Sequence, residues 1–187
     1  NKIYRKISYG PLADIILLDS RSYRSANNRN RLEALDNRSA LLGSEQVTWL
    51  KETLTRSRAT WKFIGNPLPI AHVRRKERSR YDKFANNNHG LPLGRELELA
   101  DILSHIQNHN IQNVVWLAAD VHYCAAHFFD PSHAAFQSFT PFWEFIAGPF
   151  HARPGRVRNL DHTFGPNRRY RSPISKNNNP PPSEGYL

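Results

Sequence analysis

The 187-residue sequence has no methionine, a single cysteine and no apolar run long enough to cross a membrane. With Cys124 alone, an internal disulfide is excluded, and either a reducing compartment or a disulfide-free exported protein fits. No signal-like segment follows Asn1. Because the sequence lacks methionine and starts at Asn1, we expect it to be part of a longer chain, or a chain whose start has been removed.

Acidic residues are also scarce, since 16 Asp and Glu face 26 Lys and Arg, which gives a net charge of +10. Such a balance favours anionic partners, such as phosphate esters, nucleic acid or anionic lipid. The alternative is a solvated, arginine-rich surface. The basic run from Arg74 to Lys83 has the same two interpretations, a nucleic-acid contact or a solvated loop.

Well-known sequence signatures of three enzyme classes are missing: the nucleophile elbow, the phosphate-binding loop and the dinucleotide fingerprint. Apolar runs instead alternate with amphipathic segments, which predicts an α/β fold. We expect strands at 13–19, 61–64 and 114–119, helices at 47–56 and 95–108, and further strands at 4–8, 125–129 and 142–147. The segments 20–40 and 66–92 are predicted to be long loops.

The strongest chemical signal is the pair Asp120 and His122, which directly follows the apolar run 114–119. Ligand sites in open α/β sheets form at the carboxyl ends of strands. A carboxylate and an imidazole there suit Zn, Fe or Mn, whereas a carboxylate alone suits Ca. The alternative is an aspartate that caps the following turn beside a partly exposed histidine.

Four further groups are candidates for ligand contacts. Arg21 and Arg24 follow a predicted strand and could grip a phosphate, or Asp19 and Arg21 could form a local ion pair. Arg95 at a helix start is well placed for an anion. Cys124 could be a metal ligand, or a small side chain packed in the core. His105 and His109, four residues apart on a predicted helix, could be a pair of metal ligands, or they could lie on the helix surface.

Several phrases, in order, make the chain resemble the alkaline phosphatase D (PhoD-like) branch of the metallophosphoesterases. The phrases are Tyr-Gly-Pro-Leu-Ala-Asp at 9–14, Leu-Asp-Ser-Arg-Ser-Tyr-Arg at 18–24, Leu-Gly-Ser-Glu-Gln-Val-Thr-Trp-Leu at 42–50, Thr-Trp-Lys-Phe-Ile at 60–64, Gly-Arg-Glu at 94–96, Trp-Leu-Ala-Ala-Asp-Val-His-Tyr at 116–123, Phe-Trp-Glu-Phe-Ile-Ala-Gly-Pro at 142–149 and Thr-Phe-Gly-Pro at 163–166.

The resemblance implies a four-layer α/β/β/α sandwich that hydrolyses phosphomonoesters or phosphodiesters at a site with iron and calcium. It carries Asp120 and His122 over as metal ligands, and it implies a periplasmic or secreted enzyme. The family's earlier metal ligands have no counterpart here, and Cys124 does not replace the family's cysteine ligand. Pro67 stands where many relatives have an acidic residue.

We therefore expect residues 1–166 to be the C-terminal portion of a PhoD-like metallophosphatase domain, incomplete at its N-terminal side. Residues 167–187 are predicted to be a disordered basic and Pro-Asn-rich tail.

The isolated chain is expected to be inactive, because two ligands rarely hold a metal that needs four to six. The alternative function is a non-catalytic remnant that binds anions or nucleic acid through its basic loops. The catalytic residues, the natural substrate and the oligomeric state stay open.

Overall fold

The computed structural model describes residues 2–73, 81–152, 155 and 159–173. In these residues two α-helices, α1 and α2, and nine strands, β1 to β9, follow in chain order, with one short 3-10 helix at Pro131–His133. They are β1 Arg5–Tyr9, β2 Ala13–Leu17, α1 Ser44–Arg56, β3 Trp61–Gly65, β4 His72–Val73, α2 Glu96–Asn108, β5 Val114–Ala118, β6 Ala125–Phe129, β7 Phe142–Ile146, β8 Asn159–Leu160 and β9 Pro166–Arg171. Neither described helix is long and apolar enough to cross a membrane.

Seven of the strands form one mixed sheet in the order β1-β2-β3-β5-β7-β6-β9. The four central strands, β2, β3, β5 and β7, are parallel, and the outer three pair antiparallel. Strands β4 and β8 form a separate small ladder. Because the central strands are parallel, their carboxyl ends lie side by side along one edge of the sheet.

One face of the sheet is covered by α1 and α2 and carries the core. Its central row is Ile16, Ile64 and Trp116, which are in register across β2, β3 and β5 and fully buried. Helix α1 packs Leu50 and Leu54 into the same cluster, at the spacing of four residues that keeps side chains on one helix face. Burial of this alternating row holds the parallel strands against the helices.

The opposite face of the sheet is apolar and open. Six large side chains on it, each 37–45% exposed, are Ile7, Trp61, Leu117, Trp143, Phe145 and Tyr170. The rings of Trp61 and Phe63 stack, as do those of Trp143 and Phe145. Contiguous apolar surface of this kind marks a place where another molecule or chain segment packs.

Long loops are anchored by buried charged side chains at the start of α2. The Glu98 carboxylate accepts hydrogen bonds from the backbone N–H groups of Leu41, Leu42 and Gly43, at 2.9, 2.8 and 3.0 Å. These three donors lie just before α1, so one carboxylate fixes the entry of α1 against α2. Burial raises the pKa of Glu98, although its three backbone donors and Arg95 act in the opposite direction.

A second buried carboxylate, Glu96, holds the loop that precedes α2. Its oxygens accept from Asn86 Nδ2 at 2.7 Å and from the Leu93 N–H at 3.2 Å. Asp161 accepts from the Asn87 N–H at 2.6 Å and thus ties the same loop to the segment after β8. Burial, and then the nearby charge of Asp161, raise the pKa of Glu96 well above its usual value of 4.5.

The predicted alternation of strands and helices is confirmed, with boundaries within about three residues. The short ladder of β4 and β8 was not predicted, because two-residue strands carry no periodic signal.

The predicted disordered tail overlaps an observed strand: Asn167 to Arg171 belong to β9, which pairs with β6. Antiparallel backbone pairing with β6 orders this arginine-rich stretch despite its polarity. Residues 74–80 of the basic run and 174–187 of the tail lie outside the described residues.

Replacing Glu98 with alanine should lower the free energy of unfolding by about 3 kcal/mol, because three backbone donors lose their acceptor in a buried place. Urea denaturation followed by circular dichroism measures this. Glu98→Gln, which keeps one acceptor oxygen, should cost less. Glu52→Ala on the exposed surface of α1 is the matched control and should change stability by less than about 0.5 kcal/mol. Equal losses in Glu98→Ala and Glu52→Ala would contradict the anchoring role.

The raised pKa of Glu96 predicts a pH dependence of stability. The folded protein keeps the Glu96 proton at pH values where the unfolded chain has released it. The contribution is therefore fully present below about pH 4.5 and is lost as pH rises through the raised folded pKa. Glu96→Gln should remove this decline, so the stability difference between the variant and the native protein should shift towards the variant between pH 5 and pH 8. A difference that stays constant across that range, measured by denaturation at each pH, would rule out the raised pKa.

Candidate active site

Asp120 and His122 lie in the turn that follows β5, at the edge where the parallel strands end. Both side chains are exposed. Their backbones are left-handed, with φ of 72° at Asp120 and 60° at His122. Residues other than glycine are uncommon there, and two such residues in one turn mark a locally strained backbone. The strain is held by the surrounding structure at the point where the sequence predicted a metal site.

Gly155 closes over this turn. Its N–H donates to the His122 carbonyl at 2.6 Å. A Cβ atom at position 155 would come within 2.1 Å of the Val121 carbonyl oxygen and 3.0 Å of His122 Cβ. Only glycine fits at this distance, so residue 155 is required to be glycine by the close approach of the two segments.

The neighbouring strand ends bring other polar groups to the same edge. Asn66 follows β3, and its N–H donates to the Leu117 carbonyl at 2.8 Å, so it lies beside the end of β5. Asn66 is 3% exposed, and within the described part of the chain its Oδ1 atom has no hydrogen-bond partner. Sequence reasoning missed Asn66 as a site residue, and the available signal was its position directly after an apolar strand.

Asp19 follows β2 at this edge and is buried. Its Oδ1 atom accepts from the N–H groups of Arg21 and Ser22, each at 2.9 Å. Gln46 of α1 accepts from the Asp19 N–H at 2.8 Å and donates to its carbonyl at 2.9 Å. Burial acts to raise the pKa of Asp19, but the hydrogen bonds from Ser22 and Arg21 outweigh it and the pKa lies below the usual range. A buried, ionised carboxylate therefore lies at the same sheet edge as the candidate metal ligands, two strands away from β5.

The three arginines proposed to bind substrate lie in different surroundings. Arg21 is on the surface and pairs with Asp82 at 3.4 Å. Arg24 donates to the side chain of Asn27. Arg95 is fully buried, and its guanidinium donates to the carbonyls of four residues: Ser25, Ala26, Ala40 and Tyr81. The structure thus makes Arg95 a link between loops, and this placement does not match the expected anion contact.

The remaining candidates do not join the site. Cys124 is buried, and its sulfur accepts from the Gly148 N–H at 3.2 Å. The rings of His105 and His109 stack at 4.0 Å on the outer surface of α2. In the described ranges, no group of three or more His, Cys, Asp or Glu side chains is arranged to hold a metal ion. Asp120 and His122 have the right donor chemistry for a transition metal, but the described residues do not complete a ligand set.

The fold and the strand-end site agree with one class of protein, the phosphatases of the PhoD type. The family model of the PhoD-like phosphatases matches residues 1–183, and the chain belongs to this family. It is 31% identical over 127 residues to alkaline phosphatase D of Bacillus subtilis (strain 168), an alignment that includes 65% of this chain and 21% of that protein. The chain therefore spans about a fifth of the length of this curated relative.

A solved structure described as the structure of PhoD aligns with a TM-score of 0.56 and 25% identity. The alignment covers 79% of this chain and 28% of that one. This likeness confirms the predicted α/β class and the resemblance to alkaline phosphatase D. The family members are phosphoric ester hydrolases, and metal dependence is general among them.

Gly155→Ala should displace either the segment at 155 or the Asp120–His122 turn, because the added methyl group overlaps the Val121 carbonyl. We expect a loss of about 1–3 kcal/mol in the free energy of unfolding and large changes in the NMR amide shifts of Val121 and His122. Gly10→Ala is the matched control, since a Cβ there meets nothing within 4 Å. It carries only the cost of its left-handed backbone, about 1 kcal/mol, and should leave those amide shifts unchanged. Unchanged shifts in Gly155→Ala would show that the close approach does not hold the turn.

Proposed function

We propose that this chain is the C-terminal part of the catalytic domain of a metal-dependent phosphatase, which in the complete protein hydrolyses phosphate monoesters or diesters. The observation that carries the proposal is the Asp120–His122 pair, which lies in a strained turn at the carboxyl edge of the parallel strands. The chain that carries this pair belongs to the PhoD-like phosphatases. Strained turns of this kind cluster at functional sites. Membership of the family supports phosphate ester chemistry for the whole protein.

In the complete enzyme, Asp120 would supply carboxylate oxygen and His122 imidazole nitrogen to the metal centre. By the family resemblance the metals are iron and calcium, and a bound metal polarises the phosphoryl oxygens and activates water. The hydrogen bond from Gly155 holds the backbone of the turn that carries both side chains, which would keep the two ligands close together before a metal arrives. Asp19 and Asn66, at the neighbouring strand ends, are further oxygen donors of the kind that calcium prefers.

We further propose that the open apolar face of the sheet is covered in the complete protein by a second sheet. The row of aromatic and aliphatic side chains described above is suited to sheet-on-sheet packing, in which two inner faces interdigitate. A four-layer α/β/β/α sandwich would result, with α1 and α2 as one outer layer. Other segments of the complete protein would then supply the missing metal ligands, and the chain alone would be inactive.

The resemblance also carries a proposal about location, namely that the complete protein is periplasmic or secreted. Fractionation of cells of the source organism, with an antibody against this chain, tests it. Recovery in the cytosolic fraction alone would contradict it.

A chimera tests the proposed function. The segment of Bacillus subtilis alkaline phosphatase D that aligns with this chain is replaced by the sequence of this chain, and hydrolysis of p-nitrophenyl phosphate and bis-p-nitrophenyl phosphate is measured with iron and calcium present. We expect activity in the chimera. Asp120→Ala and His122→Ala should each reduce kcat/KM by at least about a hundredfold, because each removes a side chain that would bind the metal directly. The chain alone should show no hydrolysis above buffer.

The matched control in the chimera is His109→Ala, which removes an exposed histidine just after α2 and before β5, at the sheet edge opposite to the one where Asp120 lies. It should leave kcat/KM unchanged. An active chimera in which Asp120→Ala retains full activity would overturn the assigned site. Hydrolysis by the isolated chain, lost in Asp120→Ala, would overturn the proposal that the chain is inactive alone.

A further inference from the structure

A polar cleft lies away from the strand-end site. It has a volume of about 750 Å³. Its polar lining consists of His89, His133, Asn159, His162, Asn167 and Arg168. Among the described residues that line the cleft there is no carboxylate, so its polar side chains are imidazoles, amides and one guanidinium. A concave surface with many N–H donors and no acidic side chain is suited to an anion.

The hydrogen bonding of His89 makes its ring a donor towards a ligand. The His162 N–H donates to His89 Nδ1 at 3.2 Å. Because Nδ1 accepts this bond, the neutral ring carries its own hydrogen on Nε2. That arrangement disfavours metal ligation, because a metal needs a free lone pair. The Nδ1 lone pair of His89 already accepts a hydrogen bond, and Nε2 carries the hydrogen. It favours a ligand that accepts hydrogen bonds.

The two segments that carry His89 and His162 are tied together. His89 lies in a loop with left-handed backbone, φ 58°, and its ring centroid is 5.7 Å from that of His162. The buried Asp161, next to His162, accepts from the Asn87 N–H at 2.6 Å. The two histidines are therefore held together through a common buried anchor. Donors that are fixed before a ligand arrives lose less entropy on binding.

Arg168 is also held in place, on the β9 side of the cleft. Its Nε–H donates to His127 Nε2 at 3.5 Å. The other ring nitrogen of His127 lies 3.0 Å from a Glu144 carboxylate oxygen, and both residues are fully buried. This chain of contacts runs across strands β9, β6 and β7 and fixes the positive charge at the cleft wall.

The cleft is separate from the candidate active site. Pro166, which also lines it, pairs with Phe129, and Phe129 pairs with Phe142 at the start of β7. Since β7 is parallel to β5, this is the edge of the sheet opposite to the one where Asp120 follows β5. No residue of the segments 19–24 or 118–124 lines the cleft.

We propose that this cleft binds an oxyanion of the phosphate class, either free phosphate or the phosphoryl group of a monoester, through the imidazole and amide donors of His89, His162, His133 and Asn167. The inference does not depend on the proposed catalytic function. It assigns the chain a second phosphate site that its strand-end residues do not form.

The test is titration of the purified 187-residue chain with orthophosphate and with phenylphosphonate, a non-hydrolysable stand-in for a phosphate monoester. Binding is followed by calorimetry and by the imidazole NMR signals. We expect saturable binding that shifts the signals of His89, His133 and His162. A stronger response to phenylphosphonate would identify an ester as the ligand, and an equal or weaker one would identify free phosphate.

The variant His89→Gly/His162→Ala should weaken binding at least about tenfold, as expected for the loss of hydrogen bonds to a charged group. Glycine at position 89 accepts the left-handed backbone, so the loop is not strained by the change. His105→Ala/His109→Ala removes two histidines from the surface of α2 and should bind like the native chain. Circular dichroism confirms that each variant is folded.

Three results would overturn the proposal. The first is an affinity for phosphate that is the same in the folded cleft variant and in the control. The second is a set of NMR shifts confined to His122 and its neighbours, which would assign phosphate to the strand-end site. The third is the absence of saturation, which would reduce the interaction to the general attraction of a chain with net charge +10.

Discussion

The irregular half of this molecule depends on the first turn of α2. Arg95 donates to four carbonyls of two long loops, Glu96 accepts from the loop before α2, and Glu98 accepts from the three residues before α1. Buried backbone polar groups must find partners, and long loops supply only some of them from their own backbone. A short run of charged side chains therefore replaces the regular hydrogen bonds that the loops lack.

This arrangement explains why sequence analysis predicted the sheet and the positions of the loops but missed the contacts that hold the loops. The strands around Ile16, Ile64 and Trp116 carry the alternation or apolar run of a buried strand, and such patterns are local. The role of Arg95 is not local, because its partners lie at positions 25–26, 40 and 81. A helix start with an arginine gives the same local pattern whether the guanidinium faces an anion or the interior.

In the candidate site, too, the residues with a local sequence pattern were predicted and those without one were missed. Asp120 and His122 were predicted from sequence because they follow a strong apolar strand, and the structure places them in a strained turn at the edge of the sheet. Asn66 and the cleft around His89 were not predicted as ligand sites. Their neighbours are distant in the sequence: Asn66 bonds to Leu117, and His89 accepts from His162. Only the folded chain brings such groups together.

The open face of the sheet has a consequence for how the chain behaves in solution. Its exposed side chains, among them Trp61, Trp143 and Phe145, favour contact with a like surface, whereas a net charge of +10 opposes the approach of two copies. The range of that repulsion shrinks from about 30 Å at 0.01 M salt to about 8 Å at physiological ionic strength. We therefore expect the colloidal stability of the isolated chain to depend on ionic strength: dilute buffer should favour single copies, and added salt should let the bare faces of two sheets meet.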